Sequence, residues 1–131
     1  MSVADANMRE TKALPAAAAT NYCDPIDLGA DRVGAIGAKL TAHLKTPALP
    51  ALVEAKTVAF VLQDSANGTD FTTILTLNAA TVTGATGNGA EAKETRFYLP
   101  PDCRRHVRVG ATVLTGGGDN TAKSYTFELK V

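Results

Sequence analysis

Apolar and polar residues alternate twice near the C-terminal end of this chain, and that pattern constrains its fold more than any other feature. In "HVRVGATV" Val107, Val109, Ala111 and Val113 fall on one side, and in "SYTFELKV" Tyr125, Phe127, Leu129 and Val131 do the same. A period of two is the period of a strand, so each run predicts a strand with one buried face. The glycine cluster "TGGGDNTAK" lies between them as a turn. A chain whose last residues carry so clear a pattern needs its final strand inside a sheet.

The same period appears earlier. In "TVAFVLQDS" Val58, Phe60 and Leu62 alternate with Thr57, Ala59, Val61 and Gln63. "DSANGTD" follows with Asn67-Gly68 at its centre, the strongest short hairpin signal in the chain. "FTTILTLN" resumes the alternation and predicts Phe71, Thr73, Leu75 and Leu77 on one side. A short threonine-valine strand, a glycine-rich loop in "ATVTGATGNGAEAKE" and a strand in "TRFYLPPD" come next, the last stopped by Pro100 and Pro101, which offer no amide hydrogen to a ladder. Several short strands at roughly ten-residue spacing, separated by Gly, Pro and Asn turns, predict an all-β antiparallel sandwich or barrel. No internal repeat of solenoid or propeller length is apparent.

Residues 1–30 read differently, because "ALPAAAATNYCDPIDLG" has neither a helical period nor strict alternation and is broken by Pro15, Pro25 and Gly29. They predict an extended N-terminal arm, ahead of a β-sandwich domain over residues 31–131. The total of 131 residues fits one domain with a real core, built largely from Ala and Val side chains, with no Trp.

Thirteen basic and thirteen acidic residues cancel, so no sequence-wide positive field exists to hold a phosphate backbone, and nucleic acid is not the expected partner. No stretch approaches the length of a membrane helix, and "MSVADANMRETK" lacks the order of a signal peptide, so a soluble protein without a membrane partner is expected. Cys23 and Cys103 belong to no metal-binding or redox spacing and read as two reduced structural thiols.

Chemistry is sparse. The two histidines, His43 and His106, stand apart, and His106 is surrounded by Arg104, Arg105 and Arg108. No Ser/His/Asp or Cys/His set suggests itself, so neither a catalytic residue nor a metal or other cofactor is assigned, and the protein is not read as an enzyme. Asp64, Asn67 and Asp70 faintly resemble a calcium loop but lack its terminal Glu, and the glycine-rich loops lack a phosphate-binding signature. The one dense charge feature is "RRHVR". Alternation points Arg104, His106 and Arg108 outward, either as a solvated sheet face or as a patch that meets acidic residues of a protein partner.

The segments "YCDPIDLG", "RVGAIGAKL", "TVAFVLQDS" and "FYLPPDCRRHVRVGATVLTGGGDNTAKSYTFELKV", taken in order, resemble the jelly-roll capsid cement proteins of tailed phages, the Bordetella-phage type. Ile26-Asp27-Leu28-Gly29, Leu62-Gln63 with Ser65, Leu99-Pro100 and the last hairpin carry the resemblance, which spans the chain from Tyr22 onward. His106 stands where that family's strand usually has an aromatic, and "TGATGNGAEAKE" has no counterpart in it.

The resemblance implies a jelly-roll-like sandwich and a non-enzymatic decoration protein, made in the bacterial cytoplasm and placed on the outer surface of a phage head. Its partners would be the major capsid protein and itself, as a homodimer or homotrimer. The arm, from about Met1 to Leu28, would act as a latch with Tyr22, Ile26 and Leu28 as partner-binding residues, and Arg104, Arg105 and Arg108 would act as a docking patch. A carbohydrate- or receptor-binding β-sandwich of a virion is the alternative, for which three tyrosines and no tryptophan are a thin supply of platforms. A small cupin-like enzyme would need clustered metal ligands.

Overall fold

The computed structural model describes residues 9–28, 41–100 and 103–130. They form an antiparallel β-sandwich with no α-helix among the described residues. The strands are β1 (Arg9–Ala13), β2 (Thr20–Tyr22), β3 (Ile26–Asp27), β4 (Thr41–Thr46), β5 (Thr57–Ser65), β6 (Thr72–Thr76), β7 (Val82–Thr83), β8 (Lys93–Tyr98), β9 (His106–Val113) and β10 (Ser124–Lys130). One sheet has the order β1-β10-β4-β8; the other has β2-β9-β5-β6, with β3 also on β9 and β7 also on β5.

The alternation read from sequence sorts residues between core and surface as expected. Val58, Phe60 and Leu62 of β5 and Val107, Val109, Ala111 and Val113 of β9 are buried on the inner face of one sheet. Ala42 and Leu44 of β4 and Tyr125, Phe127 and Leu129 of β10 meet them from the other. The Phe60 and Tyr125 rings touch edge to face across the interface, with centroids 5.4 Å apart. β10 pairs on both sides, with β1 and with β4, and its strict pattern follows from having one face buried against the other sheet.

The first thirty residues correct the sequence reading. Their described part contributes a strand to each sheet, β1 on β10 and then β2 and β3 on β9. Leu14, Cys23, Ile26 and Leu28 are core residues, each at most 2% exposed. Asn21 fixes the crossing between the sheets: its Nδ2 donates to the Ala13 carbonyl at 2.7 Å, and its Oδ1 accepts from the buried Tyr125 hydroxyl at 3.1 Å. The alanine run makes a turn rather than a helix, with Ala18 at a φ of 67°. The segment looked unpatterned because it changes sheets within a few residues. The boundary expected at residues 30 and 31 falls outside the described residues.

Two further differences have local causes. The Asn67-Gly68 hairpin exists, but its loop is long and is organised by side chains: Ser65 Oγ accepts from the Asn67 and Gly68 amides, and Asn67 Oδ1 from those of Thr69 and Asp70. The β5–β6 register then shifts between Leu62 and Gln63, so Leu75 pairs with inward-facing Leu62 while Thr73 pairs with outward-facing Gln63. A β-bulge of this kind moves side chains to the opposite face, and the predicted common side for Phe71, Thr73, Leu75 and Leu77 is not seen.

The glycine-rich loops bind the segment between β4 and β5. The Gly89 amide donates to the Leu52 carbonyl at 2.7 Å, the Gly84 amide to Lys56 at 2.9 Å, and the Val53 amide to Gly117 at 3.2 Å.

Cys23 and Cys103 are buried and not joined to each other. Burial pushes the Cys23 thiol up to about 11, although its sulfur accepts the Val109 amide at 3.3 Å. Ellman's reagent should therefore leave Cys23 unmodified in the folded protein and react with it promptly in denaturant. Ile26→Ala should lower unfolding free energy by about 2–5 kcal/mol, measured by urea denaturation, as expected for a core residue. Removal of residues 1–28 should abolish the cooperative transition rather than leave a sandwich that melts normally.

Candidate docking face

The two sheets present different outer surfaces, and cross-strand register explains both. On the β1-β10-β4-β8 sheet, neighbouring positions within and across strands bring carboxylates beside basic side chains. Glu128 faces Arg9 and Lys45 at 3.8 and 3.1 Å, and Glu94 faces His43 and Arg96 at 3.1 and 3.6 Å. The His43 hydrogen bond is the main cause holding the Glu94 carboxyl below its ordinary value. This face is a set of mutually satisfied ion pairs and hydrogen bonds.

The outer face of the other sheet is organised around Arg108. Register aligns Arg108 with Gln63, and Gln63 with Thr73. Arg108 Nε donates to Gln63 Oε1 at 2.9 Å, and Gln63 Nε2 donates to Thr73 Oγ1 at 3.1 Å. The guanidinium carbon lies 4.0 Å from the centre of the Tyr22 ring and 3.9 Å from that of Phe71. Tyr22 comes from β2 on one side of β9, and Phe71 precedes β6, which lies beyond β5 on the other side. The cation is thus held between two rings. Gly110 makes room for one of them, because a Cβ there would sit 2.7 Å from the Tyr22 ring.

The residues singled out from sequence separate into three groups. Tyr22 is 37% exposed and belongs to this face with Arg108. Ile26 and Leu28 are packed in the core, so the latch assigned to them has no surface to present. Arg104 and Arg105 lie beside the face but have carboxylate partners of their own. Arg104 Nε and Nη2 reach Asp64 Oδ1 at 3.0 and 2.7 Å, and its backbone amide reaches Oδ2 at 2.9 Å. Arg105 grips Asp27 through two parallel bonds of 2.7 and 2.9 Å. These bonds raise both guanidinium values further, so both stay charged and neutralised by their acids.

Phe71, Gln63 and Gly110 were not singled out from the sequence as site residues. Phe71 had been placed beside Leu75, and only the bulge carries it to the outer face. Asp64, part of the faint calcium-loop resemblance, spends its oxygens on Arg104, and Asn67 Nδ2 donates to Asp70 Oδ2 at 3.0 Å. Among the described residues no group of three or more His, Cys, Asp or Glu side chains converges. His106 is half-buried, and its ring lies against Gly68 of the hairpin loop.

Neither the family models nor the curated proteins searched match this chain.

The Glu94 carboxyl yields a test of the charged face. A depressed folded value means its contribution to stability is present above the ordinary 4.5 and is lost as pH falls through the folded value. Glu94→Gln should flatten the acid side of a thermal-stability profile and leave the profile near neutrality with a similar shape.

Proposed function

We propose that this chain is a structural decoration protein of the capsid cement type. In this reading it sits on the outer surface of a phage head and bridges neighbouring major capsid proteins as a homo-oligomer. The observation that carries the reading is strand order. The antiparallel pairs nest as one long hairpin: β1 with β10, β2 and β3 with β9, β4 with β8, and β5 with β6 and β7. That hairpin is rolled so that β10 also meets β4 and β9 also meets β5. Such nesting is the arrangement of a jelly roll, an architecture used by viral capsid proteins, and it supports the family resemblance read from the segments.

The face around Arg108 fits the docking role. Interface anchors are enriched in Tyr and Arg and work best when held rigid in a partly desolvated setting. Tyr22, Phe71 and Arg108 make such a set. The paired charges of the opposite sheet favour solvation instead. Repetition over a shell lets each contact be modest, because many clamps act together. The docking function falls to this face, to which the arm contributes Tyr22.

The alternative, a glycan-binding module, is less well supported by this arrangement. Sugar platforms need an open ring face, and Tyr22 and Phe71 each give a face to Arg108.

Co-sedimentation with heads of the encoding phage, stripped of this protein, tests the reading. Wild-type protein should saturate the heads, and Tyr22→Ala should weaken binding by about 2 kcal/mol, roughly thirtyfold, with the sandwich still folded. Equal binding by the variant would remove this face as the docking surface. No binding by wild-type protein would remove the cement function.

A further inference from the structure

We propose that Arg108 forms the floor of a carboxylate notch, built to receive one Asp or Glu side chain of the protein partner. The inference rests on the docking reading above and gives that face its chemistry. Among the described arginines, Arg9, Arg96, Arg104 and Arg105 each have a carboxylate within 4.0 Å, and Arg108 has none. The face is thus left with one arginine charge that no carboxylate among the described residues neutralises.

The shape of the opening follows from what already covers the guanidinium. The Tyr22 and Phe71 rings lie about 4 Å from its central carbon, and Gln63 takes Nε. This leaves the edge carrying Nη1 and Nη2, which have no hydrogen-bond partner among the described residues, on a residue that stays half-exposed. A ligand reaching that edge must lie in the guanidinium plane and accept two parallel N–H bonds, which a planar carboxylate does. The rings and Gln63 fix the donor before the ligand arrives, so little side-chain entropy is lost on binding.

Charge selects the occupant. Arg104 and Arg105, the nearest cations in sequence, are committed to Asp64 and Asp27. A single positive charge between aromatic rings matches a single negative charge better than a phosphate dianion. An acidic side chain on the capsid partner fits this description.

The test uses the full chain, labelled with nitrogen-15, and follows the Arg108 Nε–H and Gln63 side-chain amide signals by NMR. Sodium acetate is titrated against sodium chloride at equal ionic strength, with sodium phosphate as a third arm. Saturable acetate shifts at Arg108 and Gln63 are expected, lost in Arg108→Gln and kept in Arg105→Gln. Phe71→Leu, which keeps the charge and removes one ring, should weaken acetate binding by roughly tenfold.

Shifts equal to those in chloride, acetate shifts that survive Arg108→Gln, or phosphate binding tighter than acetate would each overturn the proposal. The outcome is separable from that of the head-binding assay. Acetate saturation without head binding removes the cement function and keeps the notch; head binding without acetate saturation does the reverse.

Discussion

The antiparallel ladder between β5 and β9, eight paired positions from Val58 to Ser65, organises both sides of the molecule. Because side chains alternate across a strand, the same ladder that sends Phe60 and Leu62 into the core sends Val61 and Gln63 outward. Gln63 there meets Arg108, and Val61 meets Gly110, the position over which Tyr22 lies. A slip of one residue would put every one of these groups on the wrong side. The hydrophobic burial that stabilises the sandwich is therefore also what fixes the geometry of the docking face, and neither can be altered alone.

The legible part of the sequence was the part whose strands are long and buried on one side only. β5, β9 and β10 declared their inner residues by alternation, and all of those within the described residues are in the core. β1 has a mostly exposed, charged sequence at the edge of its sheet, while β2 and β3 are two or three residues long, so no period could develop. β4 spans six residues, "TAHLKT", in which His43 is buried between Ala42 and Leu44, so no apolar-polar alternation shows. The bulge opposite Leu62 and Gln63 changed the side of Phe71 without leaving a mark in the amino-acid pattern.

The candidate site was half legible. The dense run of arginines drew notice, yet its members have separate fates decided by acids 40 and 78 residues away in sequence, Asp64 and Asp27. Nothing local distinguishes Arg108 from its neighbours except its place on an outward-facing strand position. Its ring partners come from two different strands' surroundings, and a tight approach at a glycine lets one of them lie flat. Those are facts of tertiary structure. The charged surface of the opposite sheet is likewise assembled by register, from residues that look unrelated along the chain.

The position of β10 has a consequence for biosynthesis. It lies between β1 and β4, so among the described strands β1 has no partner until β10, much later in the chain, has emerged. Sheet closure by such distant pairings is slow, and nascent strands with open edges are at risk of sticking to one another in the interval. The sequence "RETKA" of β1 is suited to that wait: its charged side chains let an unpaired strand remain in water until its partner is made.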